Sequence, residues 1–508
     1  MQKKFGTSDW QNYIPMPICE DYPQYCEFYL KAWELAFRQM KDIPGMPQTP
    51  YMDEALCKTQ VWIWDSWFMA LFCKYARDVF PGVETLNNFY EVLYNNKRLP
   101  EIDPPESEPY WTGAKPGEPY EIKIHIADNP PLFAWAEYEN ALMNGDVDYI
   151  KKLLYDRCFL QKHYDWIENL KERSQIRGVL SSTFLISEKD GYRWEGGCSG
   201  MDNTPRGRRG EHAVEQRPNN FDMLWIDAIC QQALSAKLIA EMFAIVGDKD
   251  EEAEWNKRYL EKKETVNSLY WDNNDKFYYD IDCKTHEFYK VKTIASYWTM
   301  TSGIASQSQA EHLIKLLSDS HTFGGFVPLV TLARNDADFN PSGGYWRGSV
   351  WLPTGYATLK GLANYGYFKD AHNISMKLVE HMYKTYTDFT PHTIWECYSP
   401  SEHIPATREF KGYVRPDFCG WSALGPISVF IEFVLGFHTI NAFEKTVEWE
   451  MPTEFTKKIG IKNLRFGNVT TDIEAMGSKV TVTSNEEYTL KINGVAYAVN
   501  VGTTEIFL

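Results

Sequence analysis

Several marks of common functional classes are missing from this 508-residue chain. No apolar run approaches the roughly 18 residues of a membrane span, and the first residues contain no apolar stretch long enough for a secretory signal. The ten cysteines form no CxxC pair, and the eleven histidines form no HExxH motif and no i, i+4 pair. A disulfide framework and a zinc enzyme therefore have no support.

These absences lead to expectations about compartment and cofactors. Scattered cysteines in apolar stretches are typical of buried free thiols in a reducing compartment. We expect a soluble, cytoplasmic protein that needs no metal and no cofactor; a periplasmic or secreted location stays open if a signal peptide has been removed.

Positive charge is also scarce. The chain has 52 basic against 69 acidic residues, a formal net charge of −17. Nucleic acids and anionic membranes both need clustered Lys and Arg, so we expect neither as a partner. What the chain has in quantity is aromatic residues, 15% of the total. A neutral or cationic small molecule fits this composition better.

The apolar periodicity predicts about a dozen helices joined by short turns. The clearest runs over Asn220–Gly247, with Asn219 and Asn220 as candidate caps, and a second helix starts from Asp248. Such a series can bury its apolar stripes by closing into a double ring, so we predict a mainly α fold, an (α/α)6 toroid of six helical hairpins, over residues 1–445. An open solenoid would show a sequence repeat, which is not seen. The other predicted helices are Tyr25–Met40, Asp65–Tyr75, Val83–Tyr94, Pro131–Asn144, Val147–Leu170, Ile304–Ser318, Ser349–Ala363, Asp370–Tyr386 and Trp421–Leu435.

The composition changes after Lys445. Residues alternate between apolar and polar around Val480–Val482, and Asn493-Gly494 separates two further alternating runs. Asn-Gly between such runs is a strong hairpin signal. Residues 446–508 are therefore predicted to form a small, antiparallel, β-sandwich-like domain.

Four clusters each combine two of three features, namely tryptophan, glycine and a carboxylate, and three of the clusters lie in long loops. They are VWIWDSW over Val61–Trp67, GGCSGMDNTPRGR over 196–208, GGYWRGSVW over Gly343–Trp351 and TIWECYSP over Thr393–Pro400. Loops of this length in a compact domain are usually functional. Each cluster alone also has a structural interpretation: a helix cap for Asp65, an Asx turn at Asp202, an ion pair of Glu396 with Arg408 or Arg415, and cation–π stacking for Arg347.

Two carboxylates, aromatic walls and no metal suit glycoside hydrolysis. One carboxylic acid protonates the leaving oxygen, and a second carboxylate activates water or attacks the anomeric carbon. The C–H faces of a sugar lie well on Trp and Tyr, while Asp, Asn and Arg bind hydroxyl groups.

Taken together, VWIWDSW, SGMDNTPR, YWRGSVW, and ECY followed by FCGWSALGPI resemble a clan of inverting α-glycosidases. The clan includes the α-glucosidases of glycoside hydrolase family 63, mannosylglycerate hydrolases and, more distantly, trehalases. The resemblance covers about Trp62–Leu435 and implies the same toroid with a pocket at one mouth. It departs from the clan at Cys198 and at Asp128-Asn129, which affects sugar identity.

The resemblance implies a role for each motif. Asp202 matches the general acid and Glu396 the general base of a single-displacement hydrolysis with inversion of an α-glucoside or α-mannoside; such carboxyl groups stand about 6.5–9.5 Å apart. The substrate would be a small oligosaccharide or glycoside, and a charged aglycone would need Arg206, Arg208 or Arg209 in the pocket. The expected substrate-binding residues are Trp62, Trp64, Asp65, Arg206, Tyr345, Trp346, Arg347, Gly348, Trp351, Tyr398 and Trp421.

Two other functions remain open from the sequence. A sugar epimerase or isomerase on the same toroid would move protons with histidines, for which His212 and His392 are the candidates. A non-catalytic carbohydrate-binding protein would keep the tryptophans but would have no need for both Asp202 and Glu396.

Overall fold

The computed structural model describes residues 3–125, 131–171, 185–194, 199–208, 222–408 and 412–508. The described chain is mainly helical and carries a separate sheet region at its C-terminus. Its α-helices are α1 Pro23–Gln39, α2 Ile63–Cys73, α3 Asn87–Asn95, α4 Phe133–Asn144, α5 Val147–Lys151, α6 Phe159–Glu168, α7 Ile226–Val246, α8 Lys249–Leu269, α9 Trp298–Thr301, α10 Gln307–Ser318, α11 Leu352–Asn364 and α12 Phe368–Asp388.

The pair α7 and α8 confirms the clearest helix prediction. Gly247 ends α7 with φ +82°, the left-handed conformation that glycine adopts at no steric cost. Asp248 caps α8, because its side chain accepts a hydrogen bond from the Glu251 amide at 3.2 Å. The helix α7 begins at Ile226, later than predicted, and the proposed caps Asn219 and Asn220 lie outside the described residues.

The helix predicted over Val147–Leu170 is wrong as a single element. The α-helix α5 continues as a π-helix over Lys152–Arg157, and the chain then turns at Cys158, whose φ is +52°. Helix α6 begins beyond it. The left-handed residue breaks the hydrogen-bond ladder, which apolar spacing alone does not reveal.

The segment predicted as a helix over Trp421–Leu435 is likewise not α-helical. A 3-10 turn over Ser422–Leu424 leads into a π-helix over Gly425–Val434. Pro426, at the second position of the π-helix, has no amide hydrogen to donate.

The described helices pack as a circuit. Helix α2 packs on α4, α4 on α7, α7 on α9 and α9 on α11; α11 packs on the π-helix Gly425–Val434, which returns to α2. Outside this circuit, α8 packs on α7, while α1 and α12 pack on the π-helix. One helix in the described part, Ile226–Val246, is long and apolar enough to cross a membrane, but 72% of its apolar window is buried inside the protein.

A cavity of about 310 Å³ lies where several of these helices end. Lys74, next to the end of α2, and Lys360, late in α11, both contact Glu139 of α4, with N–O distances of 2.7 and 3.1 Å. Both lysines also pair with Glu432 of the π-helix, at 3.1 and 3.4 Å. Four buried or partly buried charges thus balance one another at this end.

In the described part of the chain, the strands form two sheets at the C-terminus, a five-stranded sheet of short strands within the helical region, and three two-stranded pairs. The strands are β1 Met16–Cys19, β2 Gln60–Trp62, β3 Glu101–Ile102, β4 Tyr120–Glu121, β5 Lys123–His125, β6 Ile186–Glu188, β7 Gly191–Arg193, β8 Met223–Leu224, β9 Trp271–Asp272, β10 Phe277–Tyr278, β11 Asp280–Asp282, β12 Phe288–Tyr289, β13 Thr439–Asn441, β14 Thr446–Trp449, β15 Ile459–Phe466, β16 Val469–Met476, β17 Lys479–Ser484, β18 Tyr488–Ile492, β19 Val495–Val499 and β20 Gly502–Phe507.

The C-terminal sheets correct the predicted division of the chain. One sheet has the order β1-β15-β16-β17-β20 and the other β13-β14-β18-β19. Strands β1 and β13 thus come from within residues 1–445, because backbone pairing ignores sequence distance. The unit is also not wholly antiparallel, since β14 and β18 run parallel. The hairpin at Asn493-Gly494 is confirmed, with Ile492 opposite Val495 and both turn residues at positive φ.

Candidate active site

Asp65 occupies the first turn of α2 and is buried. Trp62 is the N-cap residue and makes no side-chain cap bond. Asp65 is the third residue of the helix. Its pKa is raised well above the ordinary value by burial, and the charges of Glu396 and Asp53 raise it further against the opposing effect of Arg415. Asp65 therefore lies within electrostatic reach of the predicted base.

Glu396 is held on both sides of its carboxylate. The Tyr345 hydroxyl donates to Oε1 at 2.9 Å, and the Arg415 amide donates to Oε2 at 3.1 Å. The Arg408 guanidinium lies 3.6 Å from Oε2, so the alternative of an ion pair with Arg408 is observed as well. The residue is 1% exposed. Its carboxylate is therefore oriented by a hydroxyl, a backbone amide and a guanidinium.

The loop of Asp202 is tied to the segment that holds Tyr345. Asn203 donates from Nδ2 to the Gly344 carbonyl at 3.0 Å and accepts from the Trp346 amide at 2.8 Å. Arg347 donates from Nε to the Asn203 carbonyl at 3.1 Å. Asn203 thereby fixes the neighbouring Asp202 against this segment.

On its other side the same loop approaches Trp64. Gly200 has φ +78°, and a Cβ atom there would lie 3.1 Å from the Trp64 ring. Glycine is thus favoured at position 200 for two reasons, the left-handed backbone conformation and the close approach of the backbone to the Trp64 ring.

Tyr345 hydrogen bonds Glu396 and lies within electrostatic range of Asp202. Burial raises its pKa well above the ordinary value, and the charges of Glu396 and then Asp202 add to that effect. Both carboxyls therefore act on one phenol, although they are far apart in sequence. Tyr345 itself has φ +66°, a strained conformation for a non-glycine residue.

Tryptophans pack beside this pair. Trp346 and Trp351 stack with ring centroids 4.0 Å apart, and Trp421 lies 5.4 Å from Trp351. Trp421 donates from Nε1 to the Glu396 carbonyl at 2.7 Å. Trp62 stacks on His125 at 3.6 Å.

The structure corrects the expectation for Arg206. The guanidinium is fully buried and bonds Asp227 and Asp280 through all three nitrogens, at 2.6–2.8 Å. It also lies over the Trp225 ring, 4.4 Å from the centroid. Its donors are used within the protein, so it anchors the Asp202 loop instead of contacting a substrate.

Three further predicted residues have mainly structural contacts. Tyr398 is fully buried, and its hydroxyl accepts from the Trp395 amide at 3.2 Å. Gly348 has φ +142° and no room for a Cβ, which would lie 2.8 Å from the Phe339 ring. Arg208, considered for a charged aglycone, pairs with Asp336 and Asp338.

The sequence interpretation missed Glu54. Its side chain is 1% exposed, and Gly420 separates it from Asp65: a Cβ at Gly420 would lie 2.8 Å from Glu54 Cβ and 3.0 Å from Asp65 Oδ1. The signal in the sequence is the pair Asp53-Glu54, two adjacent acids a few residues before the VWIWDSW cluster.

Several residues singled out in the sequence lie outside this site or outside the described residues. Cys198, Asp128-Asn129, Arg209 and His212 lie outside the described residues. His392 is exposed and bonds the Tyr386 carbonyl at 2.9 Å through Nδ1. Within the described ranges, no three His, Cys, Asp or Glu side chains converge as a metal site. The nine described cysteines are unpaired, and most are buried.

Comparison with known proteins agrees with this arrangement. Residues 58–409 match the mannosylglycerate hydrolase MGH1-like glycoside hydrolase domain. An uncharacterized protein of Borreliella burgdorferi is 30% identical over 373 residues, which cover 72% of this chain and 71% of that protein. The mannosyl-oligosaccharide glucosidase of Saccharomyces cerevisiae is 25% identical over 312 residues, 54% of this chain but only 34% of the yeast protein.

The fold has a counterpart among solved structures. The glycoside hydrolase family 63 mannosylglycerate hydrolase from Thermus thermophilus, solved with glucose, superposes with a TM-score of 0.53 at 15% identity, covering 79% of this chain and 99% of that chain. With the domain match spanning most of the chain, the protein belongs to the MGH1-like glycoside hydrolase family, related to family 63, and is an O-glycosyl hydrolase.

Proposed function

We propose that the protein hydrolyses an α-linked glucoside or mannoside by single displacement with inversion. The observation that carries the proposal is Tyr345, which hydrogen bonds Glu396 and is acted on by the charge of Asp202 as well. An inverting enzyme needs two carboxyls that flank the scissile glycosidic bond, about 6.5–9.5 Å apart, with room for a water beside the base.

Each carboxyl has its own role in this scheme. Asp202 donates a proton to the glycosidic oxygen as the bond to the anomeric carbon breaks. Glu396 takes a proton from the water that attacks the opposite face of the sugar. Tyr345 and the Arg415 amide hold Glu396 in one orientation, which favours attack by a positioned water.

The finer architecture supports a pocket at one mouth of a ring. We infer that α2, α4, α7, α9, α11 and the π-helix are the inner helices of an (α/α)6 toroid, because each packs on the next and the last returns to the first. Trp62 precedes α2 and Trp351 precedes α11, so the tryptophans enter from the N-terminal ends of inner helices.

The proposed substrate is a small glycoside or oligosaccharide. The names of similar proteins, mannosylglycerate hydrolase and mannosyl-oligosaccharide glucosidase, favour mannose or glucose as the ring that is held. Because Asp65 and Glu396 are only 3% and 1% exposed, the pocket suits a terminal sugar better than the interior of a polymer.

The test is a panel of α-glucosides, α-mannosides and α-galactosides with the released sugar followed by proton NMR. We expect hydrolysis of an α-glucoside or α-mannoside with the β-anomer appearing first. Initial release of the α-anomer would contradict inversion. Epimerisation of free monosaccharides without hydrolysis would replace the proposal by the isomerase alternative.

A further inference from the structure

Glu54 is buried beside the site without a hydrogen-bond partner. Neither carboxyl oxygen makes a hydrogen bond with another described residue, although the side chain is only 1% exposed. An unpartnered buried carboxyl costs free energy that the rest of the fold must offset. Such a group persists most readily where a ligand completes its bonds.

The neighbours of Glu54 belong to the proposed sugar pocket. Gly420, next to Trp421, lies against both Glu54 and Asp65, since a Cβ there would be 2.8 Å from Glu54 Cβ and 3.0 Å from Asp65 Oδ1. Trp64, adjacent to Asp65, also has a buried Nε1 without a described partner. Glu54 and the sequence neighbour of Asp65 thus both carry buried polar atoms without a described partner.

No cation neutralises Glu54 directly in the described part of the chain. Lys41 pairs with the neighbouring Asp53 at 2.8 Å. Burial, followed by the charges of Asp53 and Asp65, raises the pKa of Glu54 well above the ordinary value. A neutral carboxyl can donate one hydrogen bond and accept others, which matches a sugar hydroxyl.

We propose that Glu54 is a sugar-binding residue that recognises a hydroxyl group remote from the anomeric carbon, beyond the one contacted by Asp65. The surroundings of Glu54 support this position. Tyr345 and Glu396 lie at the reacting end, and Asp65 is within electrostatic reach of Glu396. Glu54 lies beyond Asp65, with Gly420 packed between the two side chains. This assignment deepens, and rests on, the proposed hydrolysis.

The test uses binding, which does not require turnover. D-glucose, D-mannose and their 2-, 3-, 4- and 6-deoxy analogues are titrated calorimetrically into the wild-type protein, Glu54→Leu and Glu54→Gln. We expect loss of one remote hydroxyl to weaken binding to the wild type about tenfold or more. Glu54→Leu should bind the parent sugar equally weakly and be indifferent to that hydroxyl, while Glu54→Gln, which keeps a donor and an acceptor, should retain the preference.

Glu137 provides a matched control. It is also 1% exposed, but its carboxylate accepts from the hydroxyls of Tyr90 and Tyr149, at 2.9 and 2.7 Å. Glu137→Leu should lower stability and leave the deoxy-sugar preference unchanged. The 2-deoxy sugar is the internal control. The affinity that is lost when the 2-hydroxyl is removed should be the same in the wild type and in Glu54→Leu.

The outcomes separate the two proposals. If the wild type binds every remote deoxy sugar as well as the parent, or binds none of the sugars, the role of Glu54 is overturned even where α-glycosides are hydrolysed. If Glu54→Leu keeps the wild-type preference, the role is overturned as well. If the preference depends on Glu54 but no glycoside is hydrolysed, the sugar site stands and the proposed reaction fails. Should Glu54→Leu not fold, Glu54→Ala replaces it with the same expectation, and a wild-type deoxy-sugar preference in Glu54→Ala overturns the role of Glu54.

Discussion

Two groups of buried acids lie at opposite ends of α2, and their surroundings differ. At one end, Glu139 has a pKa of about 2, because Lys360 and Lys74 outweigh the opposing effect of burial. At the other, burial raises the pKa of Asp65 and of Glu54 well above ordinary values, with nearby acids adding to the effect. Asp65 and Lys74 are nine residues apart, about 13 Å along a helix.

The difference distinguishes buried acids that stabilise the fold from buried acids that are available to bind a ligand. At the C-terminal end of α2, called the far end below, Lys74 and Lys360 pair with Glu139 and Glu432. The hydroxyls of Tyr75 and Tyr356 also donate to Glu432, at 2.8 and 2.9 Å. Every charge there has a partner within the protein. At the site end, the acids are left partly uncompensated, which lowers stability but leaves bonds available to a substrate.

The largest expected effect is on catalysis. Asp202→Asn and Glu396→Gln should each reduce kcat by at least about 10³-fold, because proton transfer to the leaving oxygen or from water is lost. The thermal unfolding midpoint should change little, since neither change removes buried volume. Glu402→Gln, at an exposed position six residues beyond Glu396, is the control and should behave as the wild type. Near-normal turnover in either catalytic variant would refute its assigned role.

A substitution at the far end should lower the free energy of unfolding and leave catalysis largely unchanged. Lys360→Met should lower the free energy of unfolding by about 3–5 kcal/mol, because Glu139 and Glu432 keep their buried charge and lose a partner. Urea denaturation measures the loss, and kcat of the folded enzyme should stay close to that of the wild type. A large fall in kcat without loss of stability would contradict the separation of the two ends.

Much of this contrast lies beyond the reach of sequence reasoning. The helices α7, α8, α11 and α12 follow from apolar spacing and turn residues, which act locally. The motifs of Asp65 and Glu396 stand out because tryptophan flanks the acid, and the motif of Asp202 stands out because of its glycines. The pairing of Glu139 with Lys74 and Lys360 joins residues far apart in the chain, and no local pattern marks it.

The same reasoning explains the errors. Arg206 lies in a polar loop, as a substrate ligand would, and only the positions of Asp227 and Asp280 show that its donors are used. The break at Cys158 needs a left-handed residue where the spacing continues as a helix. Strand β1 joins the C-terminal sheet by pairing with β15, which sequence distance conceals.

Acid should weaken the far end. Because the folded pKa of Glu139 is lowered from 4.5 to about 2, its contribution is fully present above pH 4.5 and is lost as the pH falls towards 2. The shift corresponds to about 3 kcal/mol. The difference in unfolding free energy between the wild type and Glu139→Gln, measured in urea at several pH values, should therefore shrink between pH 4.5 and pH 2. A difference that does not depend on pH would show that Glu139 contributes through packing alone.

The site end should show the opposite sign, with a smaller effect. Glu54 has a folded pKa above its unfolded value, so its contribution to stability is present below pH 4.5 and is lost as the pH rises through the raised folded pKa. Glutamine cannot ionise in the unfolded chain, so Glu54→Gln should raise the free energy of unfolding at pH 7, by about 1 kcal/mol, and the gain should disappear below pH 4.5. A loss of stability at pH 7 would mean that the folded protein compensates a Glu54 carboxylate, and the contrast between the two ends would then fail at this residue.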